Sequence, residues 1–198
     1  TGNNTYSGAT AVAGGTLKVS TNNALGTTAA GTSVANGAVL DLANIAYSTA
    51  EALALSGTLS ASTGTSSFAG VTTLAAASIF DVDGTSLTMS EQIVGANNIT
   101  KTGNGNLILT DVANTYSGTT TITGGTLTID GGGRLASGDY NANIINNAAL
   151  AYASSAAQSF DGVISGSGTL LKTGTASVLT LTGNNTYSGA TAVAGGTL

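Results

Sequence analysis

Apolar and polar residues alternate along this chain with a period of two. Leu17-Lys18-Val19, Leu40-Asp41-Leu42, Phe80-Asp81-Val82, Leu107-Ile108-Leu109, Leu127-Thr128-Ile129 and Leu179-Thr180-Leu181 each send two apolar side chains one way and the middle residue the other. That is the pattern of a half-buried strand, whose successive side chains point to opposite faces. It places Lys18, Asp41 and Asp81 outward. Between the triplets stand Gly14-Gly15, Asn36-Gly37, Asn104-Gly105 and Gly131-Gly132-Gly133, which read as corners because Gly and Asn accept positive φ at little cost. Ser48-Thr49-Ala50-Glu51 has the form of a helix capping box. Leu53 and Leu55 nevertheless alternate and a turn follows at Ser56-Gly57, so the expectation there is strand.

Strands this short cannot bury their apolar sides as isolated hairpins. Stacking successive coils solves the problem, since each coil hydrogen-bonds to its neighbours and inward residues line up in a thin core. The expected fold is an all-β solenoid. Small Ala, Gly, Thr and Val suit so narrow an interior, and β-branched Thr favours strand on the outside.

A long repeat supports this. TGNNTYSGATAVAGGTL occupies 1–17 and recurs letter for letter at 182–198, an offset of 181 residues. A diverged third copy, TDVANTYSGTTTITGGTL, puts Tyr116 in the place of Tyr6 and Tyr187. Fixed-period self-similarity marks repeat architectures, and the chain reads as one continuous solenoid segment over 1–198: a tandem unit plus the first seventeen residues of the next. If the copies sit at equivalent corners, in like surroundings, whole numbers of coils separate them. Five and three coils of roughly 22–24 residues fit, as do six and four of about 18, giving about eight to ten coils per unit.

Composition narrows the class. Of 198 residues, 29 are Gly and none is Pro, Cys, His or Trp. A mean hydropathy of +0.29 and the regular Leu, Val and Ile argue against a disordered linker, and a long ladder tolerates no Pro in its middle. Four basic residues in a chain of net charge −5 cannot form a phosphate-tracking stripe, which removes nucleic acid as a partner. No run has the length of a membrane span, and no segment reads as a signal peptide, as expected of a window cut from a longer chain. Without Cys there are no disulfide staples or cysteine metal sites.

Ser165–Leu198 combines a G-x-G-x-L-x-K-x-G lead, an L-x-L strand, N-T-Y-S-G and G-G-T-L. It resembles the autotransporter-associated β-strand repeat, also called the passenger-associated transport repeat. The central copy matches through Lys101, Gly103, Leu107, Leu109, Asn114, Thr115, Tyr116, Ser117, Gly118 and Leu127. Ser159–Gly166 fits too, echoed by Ser67-Phe68-Ala69-Gly70-Val71, and Gly14–Leu42 is similar to the segment that commonly follows in such proteins. The resemblance covers about 1–45 and 90–198. It implies a right-handed parallel β-helix, secreted to the outer surface of a Gram-negative cell, and no particular activity. The near-perfect period of a long unit implies a giant repetitive surface or filament protein.

Candidate chemistry is sparse. Asp81-Val82-Asp83-Gly84 sets two carboxylates side by side and is the best metal candidate, but it lacks the full D-x-D-x-D-G loop with a trailing Glu. Solvated acids at a strand end are the plainer reading. No nucleophilic triad exists without His or Cys. A Ser–Lys dyad fails because Lys18, Lys101 and Lys172 read as outward strand or turn residues. A glycosidase-type carboxylate pair would make a polysaccharide-active β-helix, but one Arg is little to hold an acidic substrate. Gly131-Gly132-Gly133-Arg134 is a corner and not a phosphate loop, since no G-K-[ST] follows. Asn4, Tyr6, Gly8, Asn114, Tyr116, Gly118, Asn185, Tyr187 and Gly189 are expected to be structural residues of the repeat, the tyrosines covering corners and the asparagines bonding local backbone.

The functional expectation is a non-enzymatic structural module of a long cell-surface stalk or filament, needing no cofactor. Neighbouring repeats, end to end, are its expected partners, with lateral association or surface glycans beside them. The alternatives are an adhesin passenger that binds glycans or host surfaces, and the polysaccharide-active enzyme.

Overall fold

A computed structural model describes residues 2–198. The strands are all parallel, and the chain winds as a three-sided coil with one face visited after another. The first face carries Thr10–Val12, Thr32–Val34, Leu53–Leu55, Thr72–Leu74 and Ile93–Val94. The second runs from Thr16–Val19 through Val39–Leu42, Thr58–Ala61, Ser78–Val82, Ile99–Thr102, Thr120–Ile122 and Ile144–Asn146 to Ile164–Ser165. The third runs from Ala46–Tyr47 to Thr191–Val193, with Thr65–Phe68, Ser86–Met89, Asn106–Leu109, Thr126–Ile129, Ala149–Tyr152 and Thr169–Lys172 between. Beyond Ile93–Val94 the first face continues through an isolated bridge, Asn114 to Leu135, and then Asp139–Tyr140, Gln158–Phe160 and Leu179–Leu181. The stack holds about nine coils.

Register explains why the alternation works. On the second face Leu17, Leu40, Leu59, Phe80, Lys101, Ile122 and Asn146 stand one above another. On the third, Tyr47, Phe68, Met89, Leu109, Ile129, Tyr152, Lys172 and Val193 do the same. Each inward residue therefore packs on like-placed residues above and below, and a fully buried Leu contributes about 2 kcal/mol. The few aromatic rings extend these contacts between coils. Tyr47 stacks on Phe68 at 5.8 Å, and Tyr116, Tyr140, Phe160 and Tyr152 follow edge to face. Leu53 and Leu55 face inward with Ala54 outward, so the strand reading holds there and no helix forms.

The assumption of whole coils between motif copies fails. Leu59, Phe80, Lys101 and Ile122 climb in steps of 21 residues, and the motif spacings are not multiples of that step. Thr10–Val12 lies on the first face, its counterpart Thr120–Ile122 on the second, and Thr191–Val193, identical in sequence to the first, on the third. Five coils and a third separate the first two, three and a third the last two, so the 181-residue offset spans eight and two-thirds coils. The two seventeen-residue copies share a sequence and not a face.

Two outward assignments also need correction. Lys101 and Lys172 point inward and are wholly buried, because each stands at an inward ladder position. Asp41 does lie on Lys18's side of the strand, but it is 4% exposed. Lys18 at 3.4 Å and the Ser62 amide and hydroxyl cover its carboxylate.

Candidate functional site

The repeated motif is where this chain concentrates its polar chemistry, and the three copies show what it does. The tyrosine is followed four residues later by a threonine, and a hydroxyl bond joins them in every copy: Tyr6 to Thr10 at 2.6 Å, Tyr116 to Thr120 at 2.9 Å, Tyr187 to Thr191 at 2.6 Å. In the middle copy the ring is fully buried. Thr120 passes the network on to Tyr140 at 2.7 Å, and Tyr140 donates to the Gly118 carbonyl. Burial drives the Tyr116 hydroxyl well above its ordinary pKa and the Tyr140 hydroxyl up to about 12.

The asparagine reaches the coil below. Asn114 Oδ1 accepts the Ile93 amide at 3.0 Å, while its Nδ2 donates to the carbonyls of Asp111 and Arg134. Asn185 Oδ1 accepts the Ile164 amide at 2.7 Å in the same way. The glycine lets the backbones meet: a Cβ on Gly118 would fall on the Asn97 carbonyl, and one on Gly189 on the Gly168 carbonyl. In the first copy nothing lies within 4 Å of such an atom on Gly8, and Asn4 turns instead to the Ala24 carbonyl.

Sequence reasoning missed the third grip. Lys101 and Lys172 each precede a motif tyrosine by fifteen residues, and each ammonium ties two coil corners together. Lys101 Nζ donates to the carbonyls of Thr102 at 2.6 Å, Gly103 at 2.9 Å and, one coil on, Gly124 at 3.2 Å. Lys172 Nζ donates to Gly174, to the Ser177 hydroxyl at 3.0 Å and, one coil on, to Gly195 at 3.4 Å. It also lies 5.6 Å from the Tyr152 ring centre, a cation–π distance. Burial pushes the Lys101 ammonium down to about 8, against the opposing pull of Asp81 and Asp83, and lowers Lys172 as well. The identical x-K-x-G surroundings of the two lysines were the available signal. Alternation alone hides it, because a lysine at an inward position violates the usual pattern.

Asp81 and Asp83 do project to one side. Asp81 accepts from Thr102 at 2.6 Å and Asp83 is exposed. No group of three or more acidic or metal-ligating side chains gathers among the described residues. Arg134 is more distinctive. It lines an open polar hollow of about 340 Å³ with Ser137, Asp139, Gln158, Ser159 and Thr180. Its Nε is shielded from solvent and has no partner. The adjoining Ala136 and Ser137 hold φ of 47° and 57°, a left-handed conformation that non-glycine residues rarely adopt. Gln158 braces the wall by accepting the Leu135 amide at 2.8 Å.

Comparison with known proteins locates the motif in a family. The passenger-associated-transport-repeat family model matches residues 1–19, 99–129 and 170–198, which are the three copies. The chain is 40% identical over 172 residues, 87% of its length, to the adhesin BmaC autotransporter of Brucella suis biovar 1 (strain 1330). It spans 4% of that much longer relative. No solved structure matches it. With its three motif copies each gripping the coil beside it, the chain is a passenger-associated transport repeat protein, a stretch of autotransporter-passenger solenoid.

Proposed function

We propose that this chain is a stiff spacer within a secreted surface protein, holding other parts of that protein at a fixed distance from the cell. The observation that carries the reading is the triple grip on the neighbouring coil, by asparagine, glycine and buried lysine, in the second and third motif copies. Interactions of this kind spend polar side chains on axial cohesion and leave no hinge between coils. At about 4.8 Å per coil the unit adds about 42 Å of length. Electron micrographs of the whole secreted protein test this: contour length should grow by about that amount per unit, with little bending. A compact or freely jointed particle would refute it.

A second reading, in which the rod surface itself binds, has the Arg134 hollow in its favour. The relative's name as an adhesin agrees with it. A guanidinium lining an open hollow suits a carboxylate, and the surrounding hydroxyls suit sugar hydroxyls. Titration of the chain with galacturonate should give saturable binding that galactose does not, lost in Arg134→Gln. Equal behaviour of the two sugars, or of the two proteins, counts against it.

A further inference from the structure

The motif grips whatever coil lies beneath it, and nothing in the grip depends on which face it occupies. Asn114 holds a first-face residue, Ile93, and Asn185 a second-face residue, Ile164, through the same bond. Residue count alone then decides where each copy lands. Nine coils at the observed step would need about 189 residues, and the unit has 181. The copies accordingly advance round the rod, one face at a time.

We infer that the 181-residue unit, wherever it recurs in tandem, is seated on its predecessor with a turn of one third of a revolution. Where the unit recurs in tandem, Asn4, Gly8 and Gly14 would form the edge that meets the copy before it. Their counterparts Asn185, Gly189 and Gly195 already meet the Ile164 amide, the Gly168 carbonyl and the Lys172 ammonium. A Cβ on Gly8 would meet nothing, whereas one on Gly189 would fall on the Gly168 carbonyl, and a tandem predecessor would bring the same contact to Gly8. Three units restore the starting face after 26 coils, about 125 Å. Any surface feature of the unit is thus presented in three directions at steps of about 42 Å. A continuous flat face for sideways packing never builds up.

The inference concerns the join between units and holds whether or not the spacer reading does. Paired cysteines test it in the 198-residue chain, which has no native cysteine. Leu171 and Ala192 are register partners on the third face. Under a nine-coil unit Ala192 would instead stand on the first face above Thr180, the outward residue there. All three side chains point outward, so the substitutions leave the core intact. On mild oxidation Leu171→Cys with Ala192→Cys should bridge as readily as Ser33→Cys with Ala54→Cys, a register pair of the first face. Thr180→Cys with Ala192→Cys should not. A Thr180–Ala192 bridge overturns the inference, and so does absence of the Leu171–Ala192 bridge where the Ser33–Ala54 pair forms. Failure here leaves the contour length in micrographs unchanged, so the two readings fail separately.

Discussion

Replacing Gly118 with alanine, beside the same change at Gly8, isolates coil-on-coil contact from everything else in the motif. The two glycines hold the same place in N-T-Y-S-G. A Cβ at Gly118 would meet the carbonyl of Asn97 and the nitrogen of Asn98, both backbone, while one at Gly8 meets nothing. The backbone cannot shift freely. Ser117 N is tied to the Gly95 carbonyl at 3.0 Å, Thr119 N to Asn98 Oδ1 at 2.8 Å, and Ile99 N to the Thr119 carbonyl at 3.0 Å. Opening the gap gives up roughly three hydrogen bonds at about 1 kcal/mol each, and keeping it closed stores strain of similar size. Alanine returns about 0.5 kcal/mol by restricting the unfolded chain. Gly118→Ala should therefore lose about 3 kcal/mol, a fall in Tm of about 6–12 °C for a chain of this size. Gly8→Ala should leave Tm unchanged or slightly raised. Thermal melts followed by circular dichroism decide it, and equal shifts for the two variants would refute the tight stacking argued here.

Other consequences follow from the same contacts. Asn114→Ala strands the Ile93 amide and two carbonyls in the interior and should cost about 2–3 kcal/mol in urea denaturation, whereas Asn4→Ala, at an exposed edge, should cost under about 0.5 kcal/mol. Stability should pass through a maximum with pH. Folded Lys101 loses its proton near 8 while the unfolded lysine keeps one to about 10.5, so the unfolded state binds more protons and stability rises across that window. Above about 10 unfolded tyrosines ionise while buried Tyr116 and Tyr140 stay protonated, so stability falls. Urea midpoints at about pH 7, 9.5 and 12 should be highest in the middle, with the rising limb weakened by Lys101→Met; a steady decline from neutral pH would contradict the buried ammonium. Tyr116→Phe should remove one bond of the Tyr116–Thr120–Tyr140 network and cost about 1 kcal/mol, measured in the same assay.

Local chemistry determined much of this protein from the sequence alone. Leu-x-Leu alternation, corners of Gly and Asn, and a motif repeated at fixed offset permit little besides parallel strands stacked in coils, because two-residue periodicity over three to five residues has nowhere else to bury its apolar side. The motif residues also identified themselves, by recurrence. What the tertiary structure alone decided was position round the axis and side of the wall. Three faces built from similar residues give no face a distinguishing sequence, so Thr10-Ala11-Val12 and Thr191-Ala192-Val193 read alike and lie apart; the accumulated coil lengths, which no single stretch displays, separate them. Lys101 and Lys172 were misread for a related reason: only the carbonyls of two successive corners, brought together by winding, make the interior a place where an ammonium is satisfied. Arg134 likewise stood in the sequence as a residue after three glycines, and became the wall of a hollow because the coils above it supplied Ser159 and Thr180.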